Sequence, residues 1–139
     1  MNTWSQLEAE KAFTRAARSR RRAALASRLR RCRRLCGLAV FDETRRSGKA
    51  SPGVHDISLE AIKGTTEPNR AEQFDHQFRP AGPTRCRWLS VWLANHRGAT
   101  LPPISVVPVS EGYAIRDGHH RVSVAKALGA VTIRAVVAA

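Results

Sequence analysis

The clearest pattern of hydrophobic and polar positions lies near the C-terminal end of the chain. Residues 104–109 and 113–116 are two short runs rich in Val, Ile and Tyr, the residue types that favour strands. Ser110-Glu111-Gly112 separates the runs and has the composition of a tight turn. This segment therefore predicts a β-hairpin.

A helix and a final strand are predicted to follow the hairpin. The segment after Asp117-Gly118 has the composition of a helix as far as about Leu128, and Gly129 is a typical helix end. Thr132–Val137 is again rich in β-branched residues and predicts a strand. The expected order at this end of the chain is strand, strand, helix, strand.

A further helix is predicted over residues 85–96. Thr84 is suited to the N-cap after a proline, and Gly98 is suited to the end of the helix. Apolar side chains recur at helical spacing and predict a buried face at Cys86, Leu89 and Leu93. Trp88 and Trp92 lie one turn apart, and at that spacing we favour a place in the core over stacking on nucleic-acid bases.

The first 36 residues predict one long helix. The segment contains no Gly or Pro, Thr3 or Ser5 could cap its start, and Gly37 stands where a helix should end. Its apolar positions draw one narrow stripe at Leu25, Leu29, Cys32 and Cys36.

The middle of the chain is polar and irregular. Residues 42–53 have the Ser, Gly and Pro content of a linker, 55–59 predict an edge strand, and 64–83 predict a loop with at most a turn of helix. The chain is therefore divided into an Arg-rich helical arm (1–41), the linker, and a small domain (54–139). The predicted fold class is α+β, with a mixed sheet preceded by a long basic helix.

The charge is strongly positive and unevenly placed. The formal net charge is +13 and the pI is about 11.4, which favours polyanionic partners. Most of this charge lies in residues 1–36, which carry ten arginines and Lys11 against two glutamates. Non-specific binding to the DNA backbone is expected through Arg20, Arg21, Arg22, Arg28, Arg30, Arg31, Arg33 and Arg34.

Three alternatives remain open for the basic helix. It could be a solvated helix that packs through Leu25, Leu29 and Leu35 on the domain or on a second copy in a homodimer. It could lie on a membrane surface, but its apolar face lacks large aromatic residues after Phe13, so no membrane partner is expected. The richness in Ala and Arg could also reflect the base composition of the genome.

The three cysteines predict a reducing environment. Cys32, Cys36 and Cys86 form no disulfide framework, and the sequence shows neither an apolar leader nor a run of membrane-spanning length. A cytoplasmic protein is therefore expected. The spacing of Cys32 and Cys36 fits the apolar stripe, and no histidine completes a zinc-ligand pattern with them, so no metal site is predicted.

The residues that carry chemistry lie between the hairpin and the helix that follows it. Gly118 permits a close backbone approach, and the first turn of a helix leaves N–H groups free to bind an anion. His119, His120 and Arg121 add imidazole and guanidinium donors there, and Asp117 beside them completes a possible acid–base set. The alternatives are a structural buried histidine and an aspartate that only stabilises a turn. Further donors to the same anion are considered at Arg79, Arg85 and Arg87.

The run LPPISVVPVSEGYAIRDGHHRVSVAKALGAVTIRAVV resembles the core of the ParB/sulfiredoxin superfamily. The order of the P-I-x-V strand, the turn, the second strand, the D-G-x-[HR]-R motif and the Ala-Leu-Gly helix end carries the resemblance. It covers about the last forty residues and extends more loosely back to about residue 54. The resemblance implies a small ParB/sulfiredoxin-like mixed-sheet domain.

The residue after Gly118 distinguishes the branches of this superfamily. Sulfiredoxins have a catalytic cysteine there, whereas this chain has His119, so thiol chemistry is not expected. Partition proteins of the ParB type have Gly-Glu-Arg-Arg and bind CTP. The Asp-Gly-His-His-Arg form resembles the free serine kinases. By that resemblance the site for a nucleoside tri- or diphosphate, with Mg²⁺ as its accompanying ion, comprises Asp117, Gly118, His119, His120 and Arg121.

Two departures from these families shape the functional prediction. The kinases use an upstream carboxylate as general base, and four positions compete for that role here, at Glu60, Glu67, Glu72 and Asp75. Partition proteins continue into a helix-turn-helix domain and a dimerisation tail, and this sequence contains neither. A basic helix ahead of a DGHHRVSVA segment resembles ParB-like proteins of actinobacteria.

The predicted function is a ParB-like nucleotide- or phosphate-binding protein that associates with DNA through its basic helix. The alternative is a small phosphotransferase or nucleotide hydrolase in which Asp117 and His120 are catalytic. A third hypothesis is an interaction module whose ancestral site has decayed.

Overall fold

The computed structural model of the chain describes residues 3–29, 37–44 and 50–138, apart from the side chains of Ser27 and Leu29. The predicted end of the basic helix, the second half of its apolar stripe and part of its arginine set lie outside these residues. The predictions that fall there concern Arg30, Arg31, Cys32, Arg33, Arg34, Leu35 and Cys36.

Within the described ranges, six strands form one mixed sheet. Its spatial order is β1-β3-β5-β4-β6-β2. The strands are β1 (Ala39–Val40), β2 (Gly53–Ser58), β3 (Ile62–Thr65), β4 (Ile104–Val109), β5 (Gly112–Asp117) and β6 (Thr132–Val137).

Three α-helices accompany the sheet: α1 (Thr3–Leu29), α2 (Arg85–His96) and α3 (His119–Ala127). Single 3₁₀ turns lie at Leu59–Ala61, Pro68–Arg70 and Gly82–Thr84. The predicted fold class, an α+β chain with a mixed sheet and a long basic helix before it, is confirmed.

The C-terminal half of the sheet has the order predicted from the sequence. Strands β4 and β5 form the expected antiparallel hairpin, in which Val109 pairs with Gly112. After α3 the chain returns as β6, parallel to β4 on its other side. Strand β2 pairs antiparallel with β6 at the edge of the sheet, which confirms the predicted edge strand.

The other half of the sheet was not predicted. Strand β3 pairs parallel with β5, and the two-residue β1 pairs parallel with β3. Both strands lie in segments whose composition indicated arm or loop. Strand β3 forms on the free edge of β5, and β1 then forms on β3. This is a long-range effect that local composition does not report.

The main core lies on one face of the sheet. Two phenylalanines of the 66–84 segment, Phe74 and Phe78, are fully buried against it together with Val122 of α3. The sheet contributes alternate strand positions to this core, as a half-buried sheet requires. Those positions are Ile57, Ile62, Ile104, Val106, Ile115, Ala135 and Val137.

A second core joins the three helices. Trp88 of α2 is fully buried, and the ring of Phe13 from α1 meets it edge-on with 5.5 Å between centroids. Trp92 is also buried, so both tryptophans belong to the core as predicted, whereas Cys86 is exposed.

The buried face of α1 differs from the predicted stripe. It consists of Ala9, Phe13 and Ala17, which recur every four residues in the first half of the helix. Leu25 is 61% exposed, so the part of the predicted stripe that the structure describes does not pack on the domain. The helix packs through small alanines around one aromatic ring, and that pattern is less visible than a run of leucines.

No helix in the described part of the chain is both long and apolar enough to cross a membrane.

We expect Phe13→Ala to destabilise the fold by about 3 kcal/mol, because it removes a buried ring and leaves a cavity against Trp88. Leu25→Ala, on the same helix but exposed, should change the free energy of unfolding by less than about 0.5 kcal/mol. Urea unfolding followed by circular dichroism measures both. Equal effects of the two substitutions would contradict the packing of α1 described here.

Candidate anion-binding site

The site is built around the junction between β5 and α3. Strand β5 ends at Asp117 and α3 begins at His119, so Gly118 alone connects them. Gly118 has φ +113°, and a Cβ atom there would lie 2.4 Å from Cγ2 of the buried Ile104. Both the backbone conformation and the space therefore require glycine.

The first turn of α3 presents unpaired amides. Its first intrahelical hydrogen bond runs from the Val122 N–H to the Gly118 carbonyl oxygen, at 3.1 Å. The preceding N–H groups, those of His119, His120 and Arg121, have no acceptor within the helix. No acidic residue lies in this turn, so the positive end of the helix dipole is not compensated by a carboxylate of the helix itself.

A cavity of about 520 Å³ opens at this helix end. Four arginines from four different elements line it, together with the two histidines and two carboxylates. The charged and titratable residues of its lining are Glu67, Arg70, Arg87, Arg116, Asp117, His119, His120 and Arg121.

Arg121 already has several partners. Its Nη1 donates to the carbonyl oxygens of Pro102 at 2.6 Å and Pro103 at 3.0 Å, and its Nη2 donates to Asp117 Oδ2 at 3.2 Å. It therefore holds the segment before β4 against the junction. Asp117 is 80% exposed at the side chain, so its carboxylate remains open to solvent and to a ligand.

The other three arginines are less engaged. Arg116 pairs with Glu43, but its Nε is buried without a hydrogen-bond partner. Arg70 donates to Gln73 Oε1 at 3.2 Å. Arg87 has no hydrogen-bond or ion-pair partner among residues 3–29, 37–44 and 50–138. These guanidinium groups can bind an anion without first losing a strong partner, apart from the Arg116–Glu43 pair.

His119 is held by β3. Its Nε2 lies 2.6 Å from Thr65 Oγ1, and its ring stacks on Phe74 with 6.2 Å between centroids. The same Thr65 hydroxyl accepts a hydrogen bond from the Glu67 N–H at 2.9 Å. One buried threonine therefore positions both the histidine and the backbone of the acidic residue at the cavity.

His120 differs from His119 because its Nε2 has no hydrogen-bond partner among the described residues. The ring packs edge-on against Phe74, with 5.2 Å between centroids, and its Nε2 is buried. A buried nitrogen without a partner is costly and calls for a ligand or a water molecule.

Both histidines are neutral at physiological pH. Burial, followed by the charges of Arg70 and His120, lowers the pKa of His119 to about 4, against a smaller opposite effect of Asp117. Burial, followed by Arg87 and Arg70, lowers the pKa of His120 to about 4 as well. The positive charge of the site therefore comes from its arginines, and the imidazoles offer neutral donors or acceptors.

The five residues predicted from the motif, Asp117 to Arg121, all line this one cavity. Sequence reasoning missed Arg70, because the pairing of β3 with β5 brings it to the site. It also assigned no role to Arg116, although this residue directly precedes the motif. Of the three secondary arginines, Arg87 lines the cavity. Arg79 is paired with Asp75 at 2.6 Å, and Arg85 with Glu10 at 3.0 Å, and neither lines it.

Of the four carboxylates considered as a general base, Glu67 lines the cavity. Asp75 is buried and engaged with Arg79, whereas Glu60 lines a different cavity and Glu72 is exposed. In the part of the chain that the structure describes, no group of three or more His, Cys, Asp or Glu side chains could hold a metal ion.

The described arginines of the predicted DNA surface lie on α1. Arg21, Arg22 and Arg28 are exposed, whereas Arg20 is partly buried and its Nε has no partner. Opposite the buried face of the helix, four cations follow one another at helical spacing and form a basic stripe. The basic stripe consists of Lys11, Arg15, Arg18 and Arg22.

The fold and the site together describe an α+β protein with an arginine-lined anion cavity at a strand-to-helix junction. Among solved structures, sulfiredoxin from Arabidopsis thaliana is similar at 22% identity and a TM-score of 0.45, over 63% of this chain and 85% of that chain. No protein-family model matches the sequence, and the search of curated proteins finds no match. The function is therefore argued from the site.

The two histidines should make the fold sensitive to acid. Each has a pKa of about 4 when folded and about 6.5 when unfolded, so the unfolded chain binds more protons between these values. The free energy of unfolding should therefore fall as the pH decreases from 6.5 to 4. Urea unfolding at a series of pH values measures this decrease. Over the same pH range, the free energy of unfolding of His120→Gln should decrease by about 2–3 kcal/mol less than that of the wild type.

The matched control is His55→Gln. His55 is exposed on the edge strand, so His55→Gln should not reproduce the effect of His120→Gln. If His120→Gln has the same pH profile as the wild type, His120 is not buried in its neutral form.

Proposed function

We propose that the chain binds a nucleoside di- or triphosphate in the cavity at the start of α3. The observation that carries the proposal is the convergence of four arginines, from four elements, on one uncapped helix N-terminus. Helix amides and guanidinium groups are the donors that phosphate oxygens prefer. The buried, unpartnered Nε2 of His120 offers a further contact.

The charge of the cavity favours a polyphosphate over a single phosphate. Arg70, Arg87 and Arg116 lie with the α3 amides around one space of about 520 Å³, a size typical of small-molecule sites. The exposed carboxylates Glu67 and Asp117 belong to the same lining. Two carboxylates with phosphate oxygens are a usual setting for Mg²⁺, which we propose accompanies the nucleotide.

The sequence motif supports the nucleotide within this class of anions. The Asp117-Gly118-His119-His120-Arg121 motif resembles that of the nucleotide-binding branches of the ParB/sulfiredoxin superfamily. On that resemblance we propose a ParB-like role, related to chromosome-partitioning proteins, with a nucleotide as the bound effector.

The alternative is a phosphotransferase or nucleotide hydrolase. Glu67 favours it, because this carboxylate belongs to the lining of the phosphate cavity and its backbone is fixed through Thr65. In this alternative Glu67 would act as the general base. The sequence alone assigned the catalytic roles to Asp117 and His120. Burial lowers the pKa of His120 to about 4, so its imidazole is neutral near pH 7 and is a weaker base than an ordinary histidine.

We further propose that α1 binds the DNA backbone without sequence specificity. The basic stripe of Lys11, Arg15, Arg18 and Arg22 points away from the core, so its side chains are available to phosphates. The stripe extends over twelve residues of helix, from Lys11 to Arg22, a rise of about 16 Å. Each phosphate that a cation neutralises adds affinity by releasing counterions.

We expect Arg87→Gln to weaken the binding of ATP, ADP or CTP by about tenfold or more, because it removes an unengaged guanidinium from the cavity. Arg85→Gln is the matched control on the same helix. Arg85 pairs with Glu10 outside the cavity, so its loss should change affinity less than about twofold. Isothermal titration calorimetry measures all three nucleotides with each protein.

Failure of every nucleotide to bind at millimolar concentration would refute the proposal. With Mg²⁺ present, phosphate release or transfer by the wild type that is lost in Glu67→Gln would establish the alternative instead.

For DNA, Arg18→Gln with Arg22→Gln should weaken binding to a random duplex and reduce the slope of log K against log salt by about 2. The control pair, Arg97→Gln with Arg134→Gln, removes the same charge from exposed positions off α1 and should change the slope less. Fluorescence anisotropy over a range of salt concentrations measures both. Equal slopes in the two double variants would place the DNA surface elsewhere.

A further inference from the structure

A second cavity lies between α1 and the C-terminal half of α3. Its volume is about 560 Å³, and it shares no lining residue with the anion-binding site. Helix α1 contributes one wall, through Ala12, Arg15, Ala16 and Ser19. The cavity exists because α1 packs on the domain through small alanines, which leave space beside the helix.

Lys126 is a charged residue of the cavity lining. It lies on the last turn of α3, with its Nζ 5.4 Å from the centroid of the Phe78 ring. It has no ion-pair partner within 4 Å among the described residues. Burial lowers its pKa, and Lys63 adds to that effect, whereas Glu60 and Asp75 oppose it. An anion beside this ammonium group would compensate the cost of its burial.

The remaining charges leave the cavity positive. Arg15 likewise has no hydrogen-bond or ion-pair partner in the described part of the chain. Arg79 is neutralised by Asp75 and also donates to Ser19 Oγ at 3.1 Å. Glu60 is the acidic residue of the lining, so two unpaired cations face one carboxylate.

The rest of the lining is largely apolar. Leu59 and Phe78 are buried behind it, whereas Val131, at the edge of the cavity, is 74% exposed. An exposed valine beside two unpaired cations suits a ligand that has an apolar body and one negative end.

We propose that this cavity binds a small organic anion, namely a carboxylate joined to a compact apolar or aromatic body. The carboxylate lies between Lys126 and Arg15, and the apolar body lies against Phe78, Leu59 and Val131. This site is separate from the proposed nucleotide site and does not depend on it.

The test uses benzoate as the probe with the full-length chain. In a ¹⁵N–¹H NMR titration, benzoate should shift the amides of α1 near Ala16 and of α3 near Lys126. Lys126→Met should weaken its binding about tenfold, since it removes one charge-assisted hydrogen bond. Lys11→Met makes the same change at an exposed position of α1 outside this cavity and should have no effect.

Two further comparisons keep the test decisive. Acetate carries the same carboxylate without the ring, and its affinity should be lower than that of benzoate by about tenfold or more. Ala16→Leu fills the cavity from the wall of α1 while Lys126 itself is kept, and it should abolish benzoate binding while the fold is retained. This variant tests the site even if Lys126→Met fails to fold.

The proposal is overturned if benzoate does not bind at millimolar concentration, if Lys11→Met weakens it as much as Lys126→Met, or if the shifted amides lie at the start of α3. Arg87→Gln should leave benzoate binding unchanged, and Lys126→Met should leave nucleotide binding unchanged. Failure of benzoate to bind would therefore leave the nucleotide proposal standing, and failure of the nucleotide to bind would leave the benzoate site standing.

Discussion

The backbone of Gly118 lies directly against Ile104, the first residue of β4, and the anion-binding site depends on that approach. A Cβ atom at position 118 would lie 2.4 Å from the side chain of Ile104, which is fully buried. Glycine with a positive φ therefore lets α3 begin immediately after β5. The unpaired amides of α3 are brought to the cavity by this direct connection, and Arg121 comes within reach of the carbonyl groups before β4.

The charge of the site depends on which basic side chains stay protonated when they are buried. Arginine keeps its charge in any protein environment, whereas a buried histidine loses its proton. The cavity therefore combines permanent positive charge, from Arg70, Arg87 and Arg116, with two neutral imidazoles. A bound phosphate would reverse the effect of the arginines on His120, because a nearby anion favours the imidazolium form. Protonation and anion binding at this site are thus linked.

Much of the fold could be predicted from local patterns. The helix over 85–96 and the strands over 104–109 and 132–137 have the predicted bounds, because turn residues and periodicity mark both of their ends. Strands β1 and β3 could not be found in this way, since they are only two and four residues long. They are stabilised by parallel pairing, β3 with β5 and β1 with β3. Their absence from the prediction also explains part of what was missed at the site.

The motif residues of the site were predictable because they are consecutive in sequence. Gly118 and its neighbours carry their signal within one turn of chain. Arg70 carries no such signal, because its proximity results from β3 pairing with β5 and from the turn that follows β3. Arg116 directly precedes the motif, but its place at the end of a strand gives no local sign of a binding role. The sequence likewise could not show which of Arg79, Arg85 and Arg87 lines the anion-binding cavity, because that depends on how the chain packs around the site.

The basic helix has a structural role that its composition concealed. Arg87 lines the anion-binding cavity, and the next residue, Trp88, packs on Phe13 of α1 and donates from its Nε1 to Ser123 Oγ of α3 at 2.8 Å. One buried tryptophan therefore joins all three helices. The distance between Arg87 and the first turn of α3 depends on that packing, since both are carried by helices that meet at Trp88. Helix α1 consequently supports the wall of the site from behind while its opposite face remains basic and exposed.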